Sequence, residues 1–317
     1  QKASSSPGED GLGYALLKSC PQFIDDLHLR LFSSSFELGE MPNCWKTAVV
    51  VSIPKKGRPE SPSDYHPISL LSCTGKWFER VIQRRLYPWV EKQDYFSSSQ
   101  FGFRTKLSAD LQVLHLIDNI QKAWRNNASY LALFLDVKKA FDTVWHDGLL
   151  YKLHQELGLD GKMFHWLKSY LTGRRSKVNV GNAYSDWFDI LCGVPQGGVL
   201  SPLLFIIFIN SLNLQYKFAD DSAIGMEIPH MEPARTQALG EYQILTYQVQ
   251  RWFERWLLDL HPTKTVLRLF SRMSNQDMVE LKERITITLC NHHLKPESQL
   301  ENGNPTGTRY VGVWLDD

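Results

Sequence analysis

The chain is poor in features that would announce several protein classes. Its five cysteines, Cys20, Cys44, Cys73, Cys192 and Cys290, are odd in number and scattered through 317 residues, with no Cys-x-x-Cys pair. That argues against a disulfide scaffold or a zinc knuckle and suits a reducing, intracellular compartment. His292 and His293 lie near Cys290, but the spacing is wrong for a metal and reads as a surface loop. No long apolar run exists. The strongest, Leu203 to Ile209, is far too short to cross a bilayer. The polar start, Gln1 to Gly13, has no signal-peptide core and reads as a linker or frayed end. No initiator methionine opens the chain, and a fragment of a longer polyprotein is expected. Charge of one sign is lacking too: 35 basic residues face 34 acidic ones, a net charge of +1. A basic excess is the usual footprint of nucleic-acid binding. Any such groove must therefore come from local clusters, such as Lys55-Lys56-Gly57-Arg58, Arg80 with Arg84-Arg85, and Arg174-Arg175-Ser176-Lys177. No internal repeat occurs.

What is present is acid in an unusual place. Phe218-Ala219-Asp220-Asp221 puts two carboxylates at the end of a short apolar-aromatic run. Neighbouring acids repel, and a fold rarely sets them beside apolar residues unless a cation compensates. A second apolar strand, Leu131 to Leu135, also ends in an acid, Asp136. Three carboxylates on two neighbouring strands is a layout that holds two Mg²⁺ ions for phosphoryl transfer. Alone, the Asp-Asp pair reads equally as a solvated hairpin tip.

The surroundings decide between these readings. Asp136 opens Asp136-Val137-Lys138-Lys139-Ala140-Phe141-Asp142, and between the acidic sites lies Gly193-Val194-Pro195-Gln196-Gly197-Gly198-Val199-Leu200-Ser201-Pro202. In this order the three blocks resemble motifs A, B and C of a reverse transcriptase. The wording is similar to that of the jockey-like group of non-LTR (LINE-type) retrotransposon enzymes. The fingers blocks Ile53-Pro54-Lys55-Lys56-Gly57, Tyr65-His66-Pro67-Ile68-Ser69 and Gln100-Phe101-Gly102-Phe103-Arg104 fit the same family. So do Trp252 to Thr265 (motif D) and Arg309 to Asp316 (motif E).

The resemblance implies an α+β right-hand polymerase: fingers and palm, an antiparallel palm sheet backed by helices, and no thumb. Residues 14–130 would be fingers, joined by part of the 176–192 hairpin, and 131–317 the palm. The implied reaction is RNA-directed DNA synthesis, in which a primer 3′-hydroxyl attacks a dNTP. The implied partners are an RNA template, a DNA primer and dNTPs, with no membrane; the endonuclease and thumb of the parent polyprotein lie outside the chain. Asp136, Asp220 and Asp221 would hold two Mg²⁺ ions, with Mn²⁺ as a substitute. Lys264 would donate a proton to pyrophosphate. Lys55, Lys56 and His66 would meet the triphosphate. Phe141 would exclude a 2′-hydroxyl, and Gln196 and Gly197 would line the template-nucleotide pocket. Tyr310, Val311 and Gly312 would form the primer grip. A nuclear location is expected from the family, with the cytoplasm open.

Each residue has a plainer reading: Phe141 as core, Asp142 as a helix cap, Gln196 to Gly198 as a strand-to-helix turn, Lys264 as a solvated lysine. The chain also departs from the family pattern. His66 replaces the arginine of Tyr-Arg-Pro-Ile-Ser, Gly198 replaces a serine, and only Asn210 to Lys217 link motif B to motif C. Two functional readings follow: an active polymerase core, or a decayed copy that keeps the fold and RNA binding. An intron-maturase or telomerase-like enzyme would share the palm without this wording, and a non-polymerase α+β binding protein does not account for the ordered motifs.

Periodicity predicts helices over Pro21–Phe36 (Phe23, Leu27, Leu31), Gly75–Val90, Ser108–Trp124 with Leu111, Leu114 and Ile117 inward, Phe141–Leu157 and Lys162–Leu171. It also predicts a wholly buried helix after Pro202. A last amphipathic helix carries Leu239, Tyr242, Leu245, Val249, Trp252 and Trp256 as a core stripe. Thr47–Ile53 reads as a strand, and Ser176–Leu191 as a hairpin turning at Gly181-Asn182.

Overall fold

The structure, a computed structural model, describes residues 6–54, 61, 64–181, 183–261, 264–297, 300–301, 304–305, 308–311 and 313–315. In chain order the helices are α1 (Tyr14–Ser19), α2 (Gln22–Leu38), α3 (Cys73–Lys92), α4 (Ala109–Arg125), α5 (His146–Tyr151), α6 (Gly161–Leu171), α7 (Ser201–Phe208), α8 (Ala234–Arg255) and α9 (Asn275–Arg284). The strands are β1 (Thr47–Pro54), β2 (Tyr65–Leu71), β3 (Ala128–Leu135), β4 (Arg174–Val180), β5 (Ala183–Tyr184), β6 (Phe188–Ile190), β7 (Tyr216–Phe218), β8 (Asp221–Pro229), β9 (Val266–Phe270), β10 (Ile287–Leu289), β11 (His292–Leu294), β12 (Leu300–Glu301), β13 (Asn304–Pro305), β14 (Thr308–Tyr310) and β15 (Val313–Leu315). No described helix is long and apolar enough to cross a membrane.

The chain packs as two discontinuous units, 1–95 with 141–208 and 96–140 with 209–317. The division expected at 130/131 would cut through β3, whose central place in one sheet ties residues 128–135 to the second unit. The 176–192 hairpin lies in the first unit.

In the first unit β1 pairs antiparallel with β2 and parallel with β4, which carries β5 and β6. An aromatic core sits beside this sheet. Phe32 of α2 stacks on Phe78 of α3 at 4.6 Å, and Phe78 meets fully buried Trp166 of α6 edge-on at 5.1 Å. α7 is apolar on every side and its residues are buried from Leu203 to Phe208; each such side chain stabilises by about 1.5–3 kcal/mol.

In the second unit the sheet order is β7-β8-β3-β9, all antiparallel. β3 is buried at every position, as expected for a strand with neighbours on both edges and helix on its faces. α4 lays Val113, Leu116, Ile120 and Ala123 on the sheet against Tyr130, Phe134 and Tyr216. α8 packs Tyr242, Val249 and Phe253, and the Tyr242 hydroxyl donates to the Ile224 carbonyl at 3.1 Å.

Several expectations are corrected. The helix placed at Phe141 begins only at His146, because the 141–144 backbone is paired elsewhere: Val194 N–H donates to Phe141 O at 2.7 Å and Gly193 N–H to Val144 O at 2.8 Å. Leu111 and Leu114 of α4 are exposed, not inward. Their helical row runs on into Asp118, Lys122 and Arg125, so the all-apolar row beginning at Val113 wins the sheet. Phe23, Leu27 and Leu31 do fall in a helix, yet they are exposed; Phe32 and Ser35 face inward. Trp252 and Trp256 are half-buried rather than core. Arg174 is not free to serve a basic groove: it is buried and donates to the Tyr170 carbonyl at 3.0 Å. His292 and His293 belong to a hairpin strand, not a loop; its turn, Cys290-Asn291, has positive φ at both residues.

Candidate active site

The three acids sit at one end of the second unit's sheet. In the β3–β8 ladder Leu135 pairs with Ser222. One step further brings Asp136 level with Asp221. β7 and β8 form a hairpin in which Phe218 pairs with Asp221, so Ala219 and Asp220 are its two-residue tip. Ala219 has φ +58°. A positive φ at the first turn position normally calls for glycine, and at alanine it stores strain of about 1–3 kcal/mol. Asp220 remains solvent-accessible, yet partial desolvation raises its pKa, the charge of Asp136 raises it further, and a hydrogen bond from its own amide opposes both. Asp220 and Asp136 are thus close enough to repel. Among the described residues, no group of three or more His, Cys, Asp or Glu side chains converges on a metal position.

Neighbouring backbone fixes these strand ends. Asp136 O accepts from His261 N–H at 2.8 Å, and Lys138 N–H donates to Asp259 O at 2.8 Å, so residues 259–261 run beside the segment after β3. Thr265 Oγ1 accepts from Asp136 N–H at 3.4 Å, whereas Lys264 is exposed in the preceding turn. Tyr310 is buried against Phe134, accepts from Gln112 Nε2 at 2.9 Å, and has its pKa raised by burial and by the charge of Asp221. Its ring therefore supports the sheet. Val311 sits at the β14–β15 turn with φ +49°; Gly312 lies outside the described residues.

The acidic hairpin is braced from one side by the Gln100-Phe101-Gly102 block. Lys217 N–H donates to Ser99 O at 3.0 Å, and Phe101 N–H donates to Lys217 O at 2.8 Å. A Cβ at Gly102 would lie 2.4 Å from Ala219 N and 2.8 Å from Phe218 C. Only glycine lets the two backbones approach so closely. Gly102→Ala should therefore cost about 1–3 kcal/mol by overpacking and speed hydrogen exchange of the 217–221 amides. An unchanged melting temperature with unchanged exchange would refute the brace. The short motif B to C link is closed by Lys217, whose buried ammonium donates to Asn210 O at 3.0 Å and Leu212 O at 2.9 Å. α7 ends at Phe208, just before this link.

Of the nucleotide-pocket candidates, His66, Phe141, Gln196 and Gly197 lie in the first unit. Lys55 and Lys56 lie outside the described residues. His66 is exposed on β2, paired with Ile53. Further along β2, Ser69 N–H donates to Gln196 O at 3.1 Å. Gly197 has φ +106°, and a Cβ there would stand 3.1 Å from Ser69 O. Phe141 is half-buried and stacks on Phe205 of α7 at 4.6 Å. Asp142 caps no helix: both its oxygens accept from Gln196 Nε2 at 2.8 Å.

Two further residues escaped the sequence reading. Glu79 of α3 is buried; its Oε2 accepts Val199 N–H at 2.7 Å, Leu200 N–H at 3.1 Å and the Tyr170 hydroxyl at 3.3 Å. It thereby caps the start of α7. An acid in the apolar row with Ile82 and Leu86 was the available signal. His146 is buried and donates from Nε2 to Gly193 O at 2.7 Å. Burial lowers its pKa and the charge of Arg174 adds to this, while the Gly193 bond and Asp147 oppose. Its folded pKa is thus below the unfolded value of about 6.5. The stability tied to neutral His146 is complete above that value and falls away as pH drops through the range beneath it. Between pH 7.5 and pH 5.5 the wild-type protein should lose more thermal stability than His146→Gln, which keeps a donor but does not titrate. Parallel losses would refute this.

The family model for reverse transcriptase (RNA-dependent DNA polymerase) matches residues 53–315. The probable RNA-directed DNA polymerase from transposon BS of Drosophila melanogaster is 35% identical, covering 98% of this chain and 34% of its own length. That from transposon X-element of the same species is 31% identical over 100% of this chain and 34% of its own. The polymerase from mobile element jockey is 29% identical over 98% and 33%. The chain thus spans about a third of the length of these curated relatives. Among solved structures, apo telomerase from Candida tropicalis aligns with a TM-score of 0.53 at 13% identity, over 78% of this chain and 49% of that one. A form truncated of its C-terminal domain gives 0.51 at 13%, over 87% and 56%; at this identity the likeness speaks for the right-hand polymerase fold alone. Matched to the family over most of its length, and to three transposon polymerases almost from end to end, the chain belongs to the reverse transcriptase family, as a domain homologous to the RNA-directed DNA polymerases of non-LTR retrotransposons.

Proposed function

We propose that this chain is the fingers-and-palm core of a retrotransposon polymerase that adds dNTPs to a primer 3′-hydroxyl on an RNA template. The observation that carries the reading is the strand register, which sets Asp136 at the end of β3 beside the β7–β8 hairpin that bears Asp220 and Asp221; desolvation and the charge of Asp136 raise the Asp220 pKa there. Repelling carboxylates held by backbone, with Asp221 level with Asp136, are a hard-oxygen donor set that suits Mg²⁺, or Mn²⁺ in its place. When bound, such ions supply charge neutralisation at the triphosphate and activation of the attacking hydroxyl. Asp136 and Asp220 are the shared ligands in this reading, and Asp221 the third.

The remaining roles are assigned with the same scheme. Phe141 is the steric gate against a 2′-hydroxyl, and Gln196 with Gly197 forms the edge of the pocket beneath the nascent pair. Lys55, Lys56 and His66 meet the triphosphate, Lys264 donates the proton that pyrophosphate needs, and the turn at Val311 with Gly312 steadies the primer while Tyr310 anchors it. Residues 14–95 belong with the fingers and the sheet bearing Asp136 and Asp220 with the palm. The site of action is the nucleus, where such elements meet chromosomal DNA.

Primer extension by the purified protein on an RNA template tests the reading: Mg²⁺-dependent synthesis, abolished by a chelator, is expected. No extension with either metal would favour the decayed copy, for which His66 is the specific observation. An imidazole cannot make the bidentate fork of arginine, so His66→Arg should lower the apparent nucleotide Michaelis constant roughly ten- to a hundredfold, the worth of a charged hydrogen bond at about 1.5–3 kcal/mol. An unchanged constant in an active enzyme would remove His66 from the pocket.

A further inference from the structure

Asp142 and Gln196 are 54 residues apart in sequence and joined side chain to side chain. We propose that Asp142 is a positioning residue: it fixes which end of the Gln196 amide the nucleotide meets. The proposal rests on the polymerase reading for what enters the pocket, but the arrangement of the two side chains stands by itself.

A carboxylate accepts hydrogen bonds and donates none, so only the nitrogen end of an amide can face it. Gln196 Nε2 lies 2.8 Å from both Asp142 oxygens. The carbonyl end, Oε1, is therefore turned away from Asp142 and offered as an acceptor. Without an ionised partner the two ends of an amide are nearly equivalent in shape, and a pocket built on one would present a donor or an acceptor interchangeably.

The backbone around the pair leaves the amide little freedom. Gln196 O accepts Ser69 N–H at 3.1 Å, and Val194 N–H donates to Phe141 O at 2.7 Å. Cys192 Sγ contacts Asp142 O at 3.4 Å. At Gly193, φ is +89° and a Cβ would lie 2.5 Å from Asp142 O, so this glycine is needed for the two segments to close on each other. Phe141 and Gln196 are thereby set by one short network, with Asp142 as its hinge. The ligand the arrangement fits is a hydroxyl or N–H donor on an incoming nucleoside triphosphate.

Asp142→Asn is the informative change. Asparagine can accept from Gln196 through its oxygen or donate to it through its nitrogen, so it keeps the volume and removes the instruction. In ¹⁵N-labelled protein the Gln196 side-chain amide pair, assigned by its loss in Gln196→Met, should be protected from hydrogen exchange in the wild type and should shift and lose protection in Asp142→Asn. In steady-state extension Asp142→Asn should raise the Michaelis constant for deoxynucleoside triphosphate about tenfold and change kcat less than about threefold. In the Gln196→Met background the same change should have no further effect, because two residues acting through one bond are not additive. Three results would overturn the proposal: an unprotected Gln196 amide in the wild type, an amide signal indifferent to Asp142→Asn, or additive effects in the double variant. A wild-type protein that extends no primer would sink the polymerase reading instead, and the amide signals would still decide the role of Asp142.

Discussion

Replacing Asp220 with asparagine should stop nucleotide addition and at the same time make the protein more resistant to heat. Both halves come from the place of Asp220 at the hairpin tip, where partial desolvation and the charge of Asp136 raise its pKa. The variant keeps the shape of the hairpin tip and removes a charge the folded state disfavours, so the melting temperature at neutral pH should rise. The same charge is what a metal would bind. Losing it should remove several kcal/mol of transition-state stabilisation, on the order of a thousandfold in rate at about 1.4 kcal/mol per factor of ten. Opposed changes in stability and activity are the mark of a residue placed for chemistry rather than for folding. Circular dichroism melts and primer extension on the same preparation decide it. A variant that melts lower than wild type would mean that Asp220 is a structural carboxylate, and a variant that retains activity would take it out of the site.

The second large effect is expected far from any reacting atom. Glu79→Ala removes the acceptor of two amides at the start of α7 and of the Tyr170 hydroxyl, and withdraws a negative charge from the buried Arg174. Each of the three orphaned buried groups costs about 1–3 kcal/mol. A total loss of at least about 3 kcal/mol is expected, on the order of 10 °C at ~2–4 °C per kcal/mol. Glu79→Gln keeps an acceptor oxygen. Since burial raises the Glu79 pKa, the neutral amide should be much the milder change. Hydrogen exchange at Val199 and Leu200 reads the effect locally. If Glu79→Ala leaves those amides protected and the melt within 1 kcal/mol of wild type, the cap is not what holds this helix.

These two residues also mark what a sequence can and cannot tell. Asp220 stood out as a candidate because acids beside an apolar strand are costly without a reason, and because the flanking blocks occur in a family order. β1, the β4–β5 hairpin and the buried α7 were legible for a similar cause: their patterns are local, and no competing row or pairing contradicts them. The α4 face was misread because three leucine-isoleucine positions looked sufficient. The charges that the same row meets further on decide the rotation. The helix at Phe141 was misplaced because residues 192–194, half a hundred positions later, claim its first backbone groups. Gln112 and Lys217 stayed unread, and Asp142 was read as a helix cap, since each is explained by a partner that only the tertiary fold supplies. Thr265, rather than its neighbour Lys264, touches Asp136, and a one-residue difference of that kind is beyond spacing arguments.

The close approach of Gly102 to Ala219 bears on the order in which the molecule assembles. The strained turn at Ala219 is not a conformation the hairpin would choose unaided, and the backbone that presses on it comes from more than a hundred residues earlier. Contacts of such long range form only after the entropy of closing the intervening loop has been met. β3 and β8 can pair before that, but the acidic tip reaches its final shape when the 99–102 segment docks. Their pairing closes most of that loop and already sets Asp136 level with Asp221, so the 99–102 segment docks at little further entropic cost. What it adds last is the shape of the tip, not the meeting of the acids.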